Sequence, residues 1–143
     1  MHWITRRQIG VDRMASAWLI TRFIDAHPTF DFVPESTMPA PEAGEAFDMP
    51  GVRLSHRHGH STFHTMLEEY GLTDPVLGRI ALVVDEADIV QEAPLEAAAF
   101  GVDVVCRGIR LIAADDAEAI RHALVVFDGL YAYFRAAGHP SHL

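Results

Sequence analysis

From residue 11 the apolar positions recur at helical spacing. Met14, Ala15, Trp18, Leu19, Ile20, Phe23 and Ile24 make a helix apolar around most of its girth, the pattern of a buried one. Asp12 is a candidate N-cap, and His27-Pro28 should stop the helix, because the residue before a proline is pushed out of the α region. Phe30, Phe32 and Val33 suit a strand, as do the opening residues 3–5. A second extended segment is expected over 46–56, with Pro50-Gly51 as a turn or kink. Between them, PESTMPAPEAGE (34–45) reads as the one long loop.

Beyond Gly59 the periodicity is helical throughout. Ser61 can cap a helix ending at Gly71, and Asp74-Pro75 starts another that carries Leu77, Ile80, Val83, Val84 and Ala87. A third should begin near Pro94 and show Leu95, Ala98, Val102, Val105, Ile109 and Ile112. The last opens at Asp115-Asp116, with Ile120, Leu124, Phe127, Tyr131 and Phe134 at alternating steps of four and three. The expected fold is α+β, mostly α: about five helices with a small antiparallel sheet near the N-terminus, as one domain over 1–143.

Composition narrows the function. A net charge of −9 argues against a surface that tracks nucleic-acid phosphates. No apolar run approaches the length of a membrane span, and no leader pattern opens the chain, so a cytoplasmic location is expected. The single cysteine, Cys106, rules out an intrachain disulfide. All eleven cationic side chains are arginine.

The candidate chemistry lies in LSHRHGHSTFHTML (54–67), which holds four of the nine histidines. His56, His60 and His64 are four apart, but Gly59 interrupts any helix through them. His56 is expected at the end of an extended segment and His64 in the first turn of the next helix, with a glycine turn folding one toward the other. Neutral imidazole is a common metal ligand, whereas an exposed HRHGH turn is ordinarily solvated, and His58 is assigned to solvent. The acids that could complete a site are Asp85 and Asp88, which share a helix face. His60 is the reserve imidazole and Glu86 the reserve acid. Such a donor set suits iron, manganese or zinc. A second cluster, TRRQIGVDRM, gathers Arg6, Arg7 and Arg13. Guanidinium forks suit oxyanions, so Arg13 and Arg7 are the candidate anion contacts, although for Arg6 and Arg7 the favoured reading is that they neutralise surplus carboxylates.

Four blocks together, WITRRQIGVDRMASAWLITRFID, PGVRLSH…STF, LTDP and VFDGLYAYF, resemble the chromate-resistance (ChrB-type) family. There the unit forms the C-terminal domain of chromate-responsive regulators and also occurs alone; here a stand-alone domain without the accompanying DNA-binding region is expected. The resemblance implies that His64 stands where the family has Glu and that Asp85 stands where it has His. Two solvated residues would have no reason to trade, and the exchange favours the ligand reading of His56, His64, Asp85 and Asp88. Family cysteines are replaced at Ser16 and Ser61, which excludes thiol chemistry there, while Arg13, Trp18 and Arg22 match. The implied function is a metal-binding sensor or accessory protein in chromate resistance, with a small oxyanion such as chromate as partner and a homo-oligomer as a candidate assembly. The alternative is a metalloenzyme, redox or hydrolytic, at the same centre; no catalytic residue is assigned.

Overall fold

The structure, a computed structural model, describes residues 1–88 and 96–138. Its elements run β1 (His2–Arg6), α1 (Val11–Leu19), β2 (Thr29–Val33), β3 (Glu45–Ala46), α2 (Thr62–Glu69), α3 (Pro75–Asp88), α4 (Ala98–Ile112) and α5 (Asp116–Ala137). The last turn of α1 widens into a π turn over Ile20–Ile24 before Asp25 becomes extended. Among the described residues the five helices agree with the periodicity. The expected start near Pro94, with Leu95, lies outside the described residues.

The sheet corrects the sequence reading: its strands are parallel, not antiparallel. β1 is central, flanked by β2 and β3, with Trp3 opposite Phe30 on one side and Glu45 on the other. The reason is α1. A helix that follows β1 and packs back on the sheet returns the chain to the starting edge, so β2 must run alongside β1. The expected strand over 46–56 is also shorter. After Ala46 only a bridge between Phe47 and Leu54 remains, because Asp48 turns into the left-handed region (φ 52°) and Gly51 follows at 84°.

α1 forms the middle of the molecule, in contact with α2, α3, α4 and α5. Trp18 anchors it: the indole stacks on Phe63 at 6.3 Å and meets Phe127 at 6.1 Å. Its Nε1 donates to Asp128 at 2.8 Å, and Arg22 holds the same carboxylate through Nε and Nη2 at 3.0 and 2.9 Å. A buried indole N–H needs such an acceptor. The blocks 3–25 and 126–134 are therefore tied together.

Capping largely follows the sequence. The Ser61 hydroxyl accepts from His64 N, and Asp74 accepts from Val76 N. The end of α2 is a Schellman motif, in which Leu72 N–H reaches Leu67 and Gly71 N–H reaches Glu68, with Gly71 at φ 61°. Asp12 is the exception. The N-cap of α1 is Gly10, and Asp12 lies inside the first turn with its carboxylate turned to another helix.

Candidate metal and anion site

The carboxyl ends of the parallel strands deliver three groups to one edge: Arg6 from β1, Asp48 just after β3, and the Asp12-Arg13 pair at the start of α1. In open parallel sheets this edge is where ligands bind. A cleft of about 530 Å³ lies there, with Arg6, Asp12, Arg13, Asp48, His56 and Asp88 on its walls.

Asp12 is 2% exposed. Its two oxygens accept the first amides of α2, from Thr62 N at 2.8 Å and Phe63 N at 3.0 Å, and Oδ2 also meets His56 Nε2 at 3.0 Å. A carboxylate at a helix N-terminus satisfies donors that have no partner within the helix. Asp12 thus docks α2 onto α1 while one oxygen still faces the cleft. Burial raises its pKa to about 6, against the lowering effect of its bond to His56. His56 is raised to about 9, chiefly by that same bond. The proton between them therefore resides on the imidazole at neutral pH.

His56 Nε2 also lies 3.2 Å from Asp88 Oδ2 and 3.6 Å from Asp48 Oδ1. Burial raises the pKa of Asp88 as well. Three carboxylates from α1, the turn after β3 and α3 thus surround one imidazole. One donor atom each from Asp12, Asp48 and His56 lies within 4.8 Å of the others, close enough to share an ion with bonds of roughly 2.0–2.3 Å after small rotations.

His56 precedes a tight turn in which Arg57 and His60 exchange backbone hydrogen bonds. Its central residues, His58 and Gly59, both have positive φ (53° and 79°), as a type I′ turn requires. Beyond the turn His60 meets a different carboxylate from those around His56. His60 Nδ1 meets Asp85 Oδ2 at 2.7 Å, and Asp85 Oδ1 accepts from Ser61 N at 2.9 Å. The His64 ring stacks on His60 with centroids 4.1 Å apart. His56 and Asp88 therefore belong to one cluster, and His60, His64 and Asp85 to a second. Glu86 accepts from Glu96 N at 2.7 Å, in the approach to α4. The residues that the resemblance marks as exchanged, His64 and Asp85, both surround His60.

Sequence reasoning missed Asp48 and gave Asp12 the wrong task. The signal for Asp12 was present: a carboxylate within a helix apolar all round must be buried with partners. Asp48 carried only its place before Met49-Pro50-Gly51, where Asp tolerates the left-handed conformation.

Arg13 is committed to Asp48. Its Nε lies 2.8 Å from Oδ2, and Nη2 and Nη1 donate to the carbonyls of Asp48 and Arg7 at 3.0 and 3.4 Å. Arg7 is exposed on a second cleft, of about 450 Å³, shared with Arg6 and Arg13. Cys106 is buried in the α4 interface, and burial pushes its thiol up to about 12, so it is no nucleophile. Among the described residues no helix is long and apolar enough to cross a membrane.

The family model described as "ChrB, C-terminal domain" matches residues 3–134. Protein ChrB of Cupriavidus metallidurans is 33% identical over 133 residues, which cover 92% of this chain and 40% of that relative. The chain thus spans less than half the length of the curated relative it matches. No solved structure matches. The matched region contains every residue of both clusters, and the chain belongs to the ChrB C-terminal domain family.

Proposed function

We propose that this domain is a divalent-metal-binding sensor or accessory protein in chromate resistance, its cation held by Asp12, Asp48, His56 and Asp88. One observation carries the reading: three carboxylates converge on a single imidazole nitrogen within 3.0–3.6 Å, at the wall of an open cleft. Like charges so close disfavour one another unless a cation lies among them. The protonated His56 plays that part in the metal-free protein, and a metal ion would take its place. An oxygen-rich set with one imidazole suits manganese or iron(II) better than a closed zinc site. Arg13 then serves to position Asp48.

The test is metal analysis of protein purified without a His-tag or chelating resin, followed by Mn²⁺ titration. About one ion per chain is expected, lost in His56→Ala. Stoichiometric metal that survives both His56→Ala and Asp48→Ala would move the centre elsewhere.

The open cleft of about 530 Å³ beside the donors favours a second reading, a metalloenzyme with coordination positions left for water or substrate. Turnover by the metal-loaded protein, absent in His56→Ala, would select it over a sensor.

A further inference from the structure

Helix α4 is apolar around most of its girth: among its residues only Asp103, Arg107 and Arg110 are charged or polar, and those three share one flank. A helix of that pattern is ordinarily buried on all sides. Within this chain α4 buries only the side that carries Ala99, Cys106 and Ile109. Phe100, Leu111 and Ile112 are 77, 83 and 77% exposed, and Val104 and Val105 are close to half exposed. Val105 and Ile112 belong to the stripe that periodicity assigns to the core, so the apolar pattern is wider than the described chain covers. Large apolar side chains gathered on one face in this way mark an interaction surface, whereas scattered ones need no explanation.

We propose that this face is the contact between two copies of the chain, formed by α4 packing antiparallel on α4 of a second copy about a two-fold axis near Val105. Three features favour a second copy over a different protein. The first is extent. The five side chains expose on the order of 600 Å² per chain, and the stems of Arg107 and Arg110 bring this near the ~800 Å² that each partner gives to a standard interface.

The second is spacing. Gly101, Val104 and Val105 recur as Gly108, Leu111 and Ile112 seven residues on, the repeat of a two-helix seam. A Cβ at Gly101 or Gly108 would meet nothing within 4 Å, so packing within the described chain requires neither glycine, although glycine is among the poorest helix formers. Bare backbone on a seam lets a second helix approach closely, with Val104 of one chain resting on the partner's Gly108.

The third is charge. Asp103 and Arg107 lie one turn apart on the polar flank, paired at 2.9 Å, with the Arg107 side chain 68% exposed. Reversing one helix against the other brings each Asp103 within a turn of the partner's Arg107 and sets Phe100 level with the partner's Leu111. A parallel pair would oppose arginine to arginine and aspartate to aspartate. The face is therefore self-complementary, as an isologous contact must be. None of these residues lines the cleft of the proposed cation centre, so the inference stands apart from that reading.

The experiment is sedimentation velocity on the untagged full chain in EDTA. Monomer should give way to dimer between about 1 and 100 µM. Leu111→Glu and Gly108→Leu should each raise the dimer Kd at least tenfold. Gly108→Leu should leave the melting temperature of dilute protein no lower, because leucine favours a helix and enters open space. If Leu111→Glu does not fold, Gly108→Leu decides. Oxidised mixtures of Phe100→Cys and Leu111→Cys chains should cross-link more than either variant alone. A chain that stays monomeric at about 100 µM overturns the inference and leaves the face to a different protein or segment. A dimer that both substitutions leave intact overturns it as well, as does cross-linking confined to like variants.

Discussion

Asp85 and Asp88 lie one turn apart on α3, and each takes a different histidine: Asp85 holds His60 Nδ1 at 2.7 Å, while Asp88 reaches His56 Nε2 at 3.2 Å. The type I′ turn at His58-Gly59 lies between the two histidines in the chain, before α2 begins. Asp85 spends its other oxygen on Ser61 N, so it anchors the start of α2. Asp88 stays at the cleft.

This division predicts unequal effects on metal binding. His56→Ala and Asp88→Ala should weaken Mn²⁺ binding at least tenfold, measured by calorimetry, while His60→Ala and His64→Ala should change it less than threefold. Equal losses in all four would mean that the two clusters act as one centre.

Metal binding should also release a proton. His56 holds one up to about pH 9, so apparent Mn²⁺ affinity should rise up to ~10-fold per pH unit between pH 6.5 and 9. Proton release measured in buffers of different ionisation enthalpy checks this. The competition thus reaches well above the pH of ordinary histidine titration, because carboxylates on three elements stabilise the imidazolium.

The same shift sets the stability of the metal-free protein. A histidine raised from 6.5 to about 9 on folding contributes stability that is fully present below pH 6.5 and lost as pH rises through 9. Asp12, raised from 3.8 to about 6, acts in the same direction at lower pH. The His56 side chain is 48% exposed, and screening keeps its share to ~1–2 kcal/mol. The melting temperature should therefore fall by about 3–6 °C between pH 6.5 and 9.5, and His56→Gln should flatten that slope. Saturating Mn²⁺ should reverse it, since an ion at 100 times its Kd adds about 2.7 kcal/mol.

Asp12 joins two helices as well as facing the cleft. Asp12→Ala strands the amides of Thr62 and Phe63 and should cost ~2–4 kcal/mol in denaturant unfolding. Asp12→Asn keeps an acceptor oxygen but loses the charge. It should retain more of the stability than Asp12→Ala while losing most of the metal affinity.

Asp128 is the acceptor shared by Trp18 and Arg22. Asp128→Ala should destabilise by ~1–3 kcal/mol and alter the tryptophan emission, with Mn²⁺ binding unchanged at saturation. A loss of metal binding in a folded variant would show that this tie reaches the centre.

Much of this architecture was legible in the chain. The stripe Ile120, Leu124, Phe127, Tyr131 and Phe134 determined α5 by itself, since helical periodicity is a local property of apolar positions. Ser61, Gly71 and Asp74-Pro75 likewise marked helix ends through backbone chemistry a few residues long, and the HRHGH turn showed in its glycine. Only the tertiary structure decided strand direction, because the alternation of a short strand carries no information about which way its neighbour runs. It also decided the site. Asp12 is 44 residues from His56, Asp48 is 8 and Asp88 is 32, and their side chains meet because α1 returns the chain across a parallel sheet and α3 packs beside α2. Local sequence fixes which residues can be ligands; packing between distant elements fixes which of them face one another.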